Sequence, residues 1–141
     1  MTVIGGIHVT VVSDAEDDLL SIPGPTIAVF HGDEVSVNVV NDLERFTTTM
    51  HWHGLPMRNT QYSDGGSGVT QCPVQPGQKV SWYNFLAETP GTYWYHGHTQ
   101  FHRDDGLYGP IILRDTAGGS CDMTEPGTGL VLQHIRGQVL P

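Results

Sequence analysis

The feature that most constrains the fold is a set of short segments in which apolar residues recur at every second position. The clearest covers residues 34–40, where Val35, Val37 and Val39 alternate with polar residues. A period of two fits a strand with one buried face and does not fit a helix. Alternation, or enrichment in β-branched and aromatic residues, also marks residues 7–11, 27–30, 47–53, 78–85, 92–96 and 108–114, and an apolar segment that begins at Leu130. The sequence therefore predicts seven or eight short strands.

Turn-forming residues separate these segments. The 141 residues include 18 glycines and 9 prolines, and only 15% are charged. With no long helical period, this composition indicates an all-β Greek-key sandwich or barrel, and the length fits a single domain. Residues 54–69 form a long loop, and loops of that length in compact domains are usually functional.

The charge balance excludes one class of partner. Six Lys and Arg against fifteen Asp and Glu give a formal charge of -9. Binding to the phosphates of nucleic acid needs a basic surface, so nucleic acid is not expected as a partner, whereas cations are compatible. No stretch approaches the roughly 20 apolar residues of a membrane span, so no membrane association is expected either.

The two cysteines, Cys72 and Cys121, leave several possibilities open. They could form one disulfide in an oxidising compartment, pair with groups outside this chain, or remain free thiols.

Two short histidine stretches carry the chemistry. His51 and His53 form one His-x-His pair, and His96 and His98 form a second pair about forty residues later. Residues i and i+2 of a strand point to the same side, so two adjacent strands could bring four imidazoles into one space. Neutral imidazole binds Zn, Cu, Fe and Ni. Surface histidines on polar strands are the alternative, but two pairs, each beside a tryptophan and a glycine, favour a metal site.

The motifs around these pairs resemble a known family. In chain order they are 23–26 (Pro-Gly-Pro-Thr), 32–41 (Gly-Asp followed by alternating valines and an Asn), 48–55 (Thr-Thr-Met-His-Trp-His-Gly-Leu), 69–77 (Val-Thr-Gln-Cys-Pro-Val-x-Pro-Gly), 91–98 (Gly-Thr-Tyr-Trp-Tyr-His-Gly-His) and 105–110 (Asp-Gly-Leu-Tyr-Gly-Pro). Together they closely resemble the first cupredoxin domain of laccase-like multicopper oxidases, over about residues 7–115. Residues 116–141 would be a tail or the start of a linker to a further domain.

The resemblance implies a role for each matched residue. His51 would ligate the type-2 copper, and His53, His96 and His98 would ligate the pair of type-3 coppers, in a trinuclear cluster that reduces O2 to water. Asp64 would be the acidic residue that assists proton delivery, a role that needs hydrogen-bond reach through water. Without the resemblance, Asp64 would be interpreted as part of an Asp-Gly turn.

The family pattern needs eight histidine ligands, and this chain offers four. In the family, the other four ligands and the type-1 copper site come from the last domain, and neither His-Cys-His nor His-x-x-His-x-His occurs here. Cys121 and Met123 have the wrong spacing for a blue-copper site. The parent enzyme would oxidise phenols or similar small reductants with O2, whereas the isolated chain is expected to be inactive. The alternatives are a stand-alone copper-binding or carrier domain, and an assembly module completed by a partner cupredoxin domain or subunit.

Five further expectations remain, most of them from comparison with the family. Gly97 stands where serine is common, which should not abolish ligation, and the glycine-rich loop 64–68 should be more flexible than usual. Cys72 occupies a position where many members have a cysteine that bridges to another domain; pairing with Cys121 is the alternative. His102 could be a weak ligand or contact a ligand, although an exposed or hydrogen-bonded histidine is favoured. A secreted protein is expected.

Overall fold

The computed structural model describes residues 2–4, 7–11 and 23–115. These residues form eight strands and one short 3-10 helix. The strands are β1 (Thr2–Ile4), β2 (Ile7–Val11), β3 (Ile27–Phe30), β4 (Glu34–Asn41), β5 (Met50–His53), β6 (Lys79–Leu86), β7 (Gly91–Gly97) and β8 (Tyr108–Arg114), and the helix is η1 (Gln61–Ser63).

The strands form two four-stranded sheets. One has the order β1-β2-β4-β6 and the other the order β3-β8-β7-β5. Neighbouring strands are antiparallel except for β3 and β8, which are parallel. The two sheets pack face to face, since Trp52 of one sheet contacts Tyr83 and Phe85 of the other at ring-centroid distances of 5.5 and 5.2 Å. The predicted all-β sandwich is confirmed.

The alternating valines of β4 form much of the core. Val37 and Val39 are fully buried and Val35 nearly so, while Glu34 and Ser36 on the other face are exposed. Burying one such side chain stabilises the fold by about 1.5–3 kcal/mol. The period-two pattern therefore fixes which face of β4 meets the second sheet.

The pairing of β5 with β7 determines where the histidines lie. Its antiparallel register places His51 opposite His96, and Trp52 opposite Tyr95. Trp52 and Tyr95 are buried in the core, so their neighbours along each strand project from the opposite, outer face of the sheet. Among the described residues, β5 is an edge strand of this sheet.

Most strand boundaries agree with the sequence within one or two residues, with two exceptions. Strand β5 begins only at Met50, because Thr48 forms an isolated bridge with Val74 instead of joining the ladder. Strand β1 was not predicted, since three residues are too few to show alternation; it pairs with β2. The predicted tail, residues 116–141, lies outside the described residues, together with Cys121 and the apolar segment from Leu130 that it contains.

The single helix of the described ranges, η1, has neither the length nor the apolar character needed to cross a membrane.

Candidate metal centre

Three histidines converge on the outer face of the second sheet. One ring nitrogen from each of His51, His53 and His96 lies within 4.8 Å of the other two. Strand alternation puts His51 and His53 on the same side of β5, and the register places His96 against them. A single metal ion, or two neighbouring ions, could be held by such a group of imidazoles.

His98 joins the same cluster of rings from just beyond the end of β7. Its ring centroid lies 5.3 Å from that of His51 and 5.9 Å from that of His96, with the His96 ring stacked on it. Its backbone N–H donates to the carbonyl of Thr49 over 2.9 Å. All four histidines selected from the sequence are therefore brought together, with His98 exposed and outside the tightest group of three.

The hydrogen bonds of two rings fix their tautomers. Nδ1 of His51 lies 2.7 Å from the backbone carbonyl of Asp64, and Nδ1 of His96 lies 2.9 Å from that of Gly97. A carbonyl only accepts, so each Nδ1 carries the proton and donates it. In the neutral ring, Nε2 then carries a lone pair, and that of His96 lies 3.4 Å from Nδ1 of His53. Metal-binding histidines have this arrangement, in which the second nitrogen is held by a carbonyl or carboxylate.

Burial keeps His96 neutral. Removal of its ring from water is the main cause that lowers the pKa of His96 to about 4, and the nearby His51, His53 and His98 lower it further. The hydrogen bond to the Gly97 carbonyl opposes this shift in part. Near neutral pH the ring is therefore unprotonated at Nε2 and does not have to lose a proton to bind a metal.

Asp64 meets His51 mainly through its backbone. Its carbonyl is 2.7 Å from Nδ1 of His51, while the nearer carboxylate oxygen is 3.4 Å from the same nitrogen. Asp64 directly follows η1, and the indole N–H of Trp52 donates to the carbonyl of Ser63 over 2.9 Å. The half-buried carboxylate is thus carried to the edge of the cluster by a loop anchored on β5.

The glycine-rich loop contains several internal hydrogen bonds, and its greater flexibility than the usual family loop stays a prediction. The carbonyl of Gly66 accepts from the N–H groups of Val69, Thr70 and Gln71. Gly65 has φ of 82°, and a Cβ there would overlap the carbonyl oxygen of Met50. Glycine composition alone does not reveal these contacts.

Trp94 also lies at the site, although the sequence analysis did not select it. Its ring centroid lies 4.9 Å from that of His53 and 4.4 Å from that of His96. The signal was present, because Trp94 is two residues before His96 and therefore on the same face of β7. The half-buried indole covers one end of the histidine cluster.

His102 and Gly97 are packed together beside the cluster. His102 is buried, which lowers its pKa, and its Nδ1 is hydrogen-bonded to the hydroxyl of Thr48 over 3.1 Å. This geometry agrees with the hydrogen-bonded alternative. A Cβ at Gly97 would lie 2.7 Å from Cβ of His102 and from Cδ2 of Leu107, so even a serine here would require movement.

Cys72 is exposed and forms no disulfide with any cysteine in the described ranges. Since Cys121 lies outside those ranges, both predicted pairings of Cys72 stay predictions.

Comparison with known proteins identifies the family. The multicopper oxidase family model matches residues 20–118. Multicopper oxidase MCE of Talaromyces pinophilus is 51% identical over 92 residues, which are 65% of this chain and 15% of that protein. Iron transport multicopper oxidase FET3 of Gibberella zeae is 48% identical over 93 residues, 66% of this chain and 15% of that protein.

Solved structures agree with the sequence matches. The laccase from Botrytis aclada is similar with a TM-score of 0.65 and 41% identity, over 67% of this chain and 17% of that chain. The expected cupredoxin fold is thereby confirmed. This chain spans 15% of the length of each of the two relatives above. Over the matched region, the chain belongs to the multicopper oxidase family, whose members bind copper.

Proposed function

We propose that this chain is the first cupredoxin domain of a laccase-like multicopper oxidase and supplies half of the ligands of a trinuclear copper cluster. The observation that carries the proposal is the pair of Nδ1 bonds to backbone carbonyls, which leave Nε2 of His51 and of His96 unprotonated and able to bind a metal. Rings held in this way are oriented before a metal arrives, so little ordering cost remains at binding.

The donor set fits copper. The cluster contains only imidazoles, which suit copper as well as zinc, and no thiolate of the type that structural zinc sites use. We assign His51 to the type-2 copper and His53, His96 and His98 to the type-3 pair, on the match to the family motifs. Bound copper would relay to O2 the four electrons that the reducing substrate gives up.

The exposed side of the cluster is where the missing ligands would enter. His53 and His98 are exposed, and β5 is an edge strand among the described residues. We propose that another cupredoxin domain or subunit covers this side with four more histidines. The alternative that this chain binds or carries copper alone needs only the ligands already present.

Asp64 is proposed to assist proton delivery during O2 reduction. Its carboxylate is half-buried at the edge of the cluster, 3.4 Å from Nδ1 of His51. A carboxyl group in this position can relay protons through water toward the space that the histidines face. The orienting contact to His51 comes from the backbone, which leaves the carboxylate available for this role.

The parent enzyme is proposed to oxidise a phenol or a similar small reductant, with ferrous iron as the alternative. The printed names of the relatives include both laccase and iron transport multicopper oxidase. We also propose that the parent is secreted and that Cys72 bridges to another domain, with pairing to Cys121 as the alternative.

Copper stoichiometry and oxygen consumption of the purified chain test the proposal. We expect stable copper binding without O2 reduction, and oxidase activity only when the domain with the remaining ligands is present. Copper binding by this chain, with no oxidase activity even when that domain is added, would favour the stand-alone copper-binding domain. Four-electron O2 reduction by this chain alone, with a phenolic substrate, would refute the half-site.

A further inference from the structure

The turn that presents His98 is anchored by a residue outside the cluster. Strand β7 ends at Gly97, so His98 is not held by the strand ladder. Its backbone N–H instead donates to the carbonyl of Thr49, and the hydroxyls of Thr49 and Thr99 lie 3.4 Å apart. The position of His98 therefore depends on how the following turn, residues 98–107, docks against residues 48–49.

His102 makes the second contact of this turn with the same short segment. Its ring is buried and hydrogen-bonded through Nδ1 to the hydroxyl of Thr48, one residue before the Thr49 carbonyl that holds His98. Thr48 is itself fixed by reciprocal backbone hydrogen bonds with Val74, of 3.0 and 2.7 Å. The imidazole thus connects the turn to a residue that is hydrogen-bonded on both sides of its bridge with Val74.

Backbone hydrogen bonds also connect His102 to the end of β7. The carbonyl of His102 accepts from the N–H of Leu107 over 2.9 Å, and the carbonyl of Leu107 accepts from the N–H of Gly97 over 2.9 Å. Gly97 has no Cβ, which allows His102 and Leu107 to pack against it. Both ends of the turn are consequently held by hydrogen bonds close to His96: the His98 end by Thr49 and the Leu107 end by Gly97.

We propose that His102 is a positioning residue, whose buried hydrogen bond to Thr48 holds the 98–107 turn so that His98 stays beside His51 and His96. Contacts of this kind orient metal ligands without touching the metal, and their loss typically lowers metal affinity roughly 10- to 100-fold. The link to copper rests on the proposed function, whereas the positioning of His98 does not.

Amide hydrogen exchange of the 141-residue chain without metal measures the positioning directly. We expect His102→Leu and Thr48→Val each to accelerate exchange of the His98 amide by roughly fivefold or more, while amides in the middle of β4 keep their rates. Thr48→Val changes only a hydroxyl to a methyl, so it keeps the test valid if His102→Leu lowers global stability. His31→Leu, at an exposed histidine, is the matched control. It should change neither the exchange rate of the His98 amide nor the rates of the β4 amides.

A conservative variant of His102 shows whether its hydrogen bond to Thr48 or only its volume holds the turn. The side-chain amide of His102→Gln can still bond the Thr48 hydroxyl, so its His98 exchange rate and Cu(II) affinity should lie closer to the unmodified chain than those of His102→Leu. Unchanged His98 exchange in both His102→Leu and Thr48→Val would overturn the proposal. Failure of the unmodified chain to bind Cu(II) would instead refute the proposed function and leave the exchange result standing.

Discussion

His51 donates its Nδ1–H to the backbone carbonyl of Asp64 over 2.7 Å, while the Asp64 carboxylate lies 3.4 Å from the same nitrogen. The orientation of this imidazole is therefore set by the main chain of a loop. The carboxylate of Asp64 makes only the longer of the two contacts and is not needed for that orientation. This separation allows structure and chemistry at one residue to be tested independently.

Replacement of the Asp64 carboxylate should leave copper binding almost intact. Asp64→Asn keeps the carbonyl that orients His51, so the Cu(II) affinity of the chain should change by no more than about twofold, which is well below the roughly tenfold cost of losing a contact that orients a ligand. In the assembled oxidase the same change should slow O2 reduction, because the proposed proton donor is lost. Isothermal titration with Cu(II) and oxygen-electrode assays measure the two effects. A large loss of affinity in Asp64→Asn would show that the carboxylate itself orients the ring.

Removal of a histidine from the cluster should weaken copper binding without unfolding the chain. His96→Ala and His98→Ala each delete a proposed copper ligand, so Cu(II) affinity should fall by more than the roughly tenfold expected when a contact that only orients a ligand is lost. His96 is buried and His98 is exposed, so only His96→Ala should also lower the free energy of unfolding noticeably. His31→Ala serves as the control at an exposed histidine. Unchanged copper binding in both cluster variants would remove the metal assignment.

Gly65 should be the least replaceable glycine of the loop. In Gly65→Ala the new Cβ would overlap the Met50 carbonyl at a positive φ, so we expect at least about 3 kcal/mol of destabilisation and a weaker copper site, since the Asp64 carbonyl must move. Gly68→Ala is the matched control, because Gly68 also has positive φ but open space around its Cα. That control should cost only about 1–2 kcal/mol. Urea unfolding measures both, and equal losses would show that the loop does not pack on β5 as described.

The metal-free chain should lose stability as the pH falls from about 6.5 to about 4. The pKa of His96 is about 4 in the folded state, against the ordinary histidine value of 6.5 in an unfolded chain, so in this window the unfolded chain binds more protons. Stability therefore rises with pH across the window, by at most about 3 kcal/mol from this group. The lowered pKa of His102 acts in the same direction. His96→Gln should reduce the slope of unfolding free energy against pH, and an unchanged slope would contradict the burial of this ring.

The sequence predicted the sandwich because period-two patterns state directly which side chains share a face. Val35, Val37 and Val39 determine the buried face of β4 wherever that strand pairs. In the same way, strand alternation sends His51 and His53 to one side of β5, whereas His98 lies just beyond the end of β7. Strand β1 was not predicted because three residues are too few to show an alternation of apolar and polar side chains.

By contrast, which side chains come together at the site depended on contacts between segments that are distant in the sequence. Only the register of β5 with β7 puts His51 opposite His96, and only the packing of the 54–69 loop on β5 brings the Asp64 carbonyl to His51. The burial that keeps His96 neutral likewise comes from residues around it in space. Sequence thus determined which imidazoles were available and on which face of each strand, since side-chain alternation is local. Tertiary structure decided which rings meet, which nitrogen each ring presents and how far His98 is held from the others, because backbone hydrogen bonds between segments set those positions.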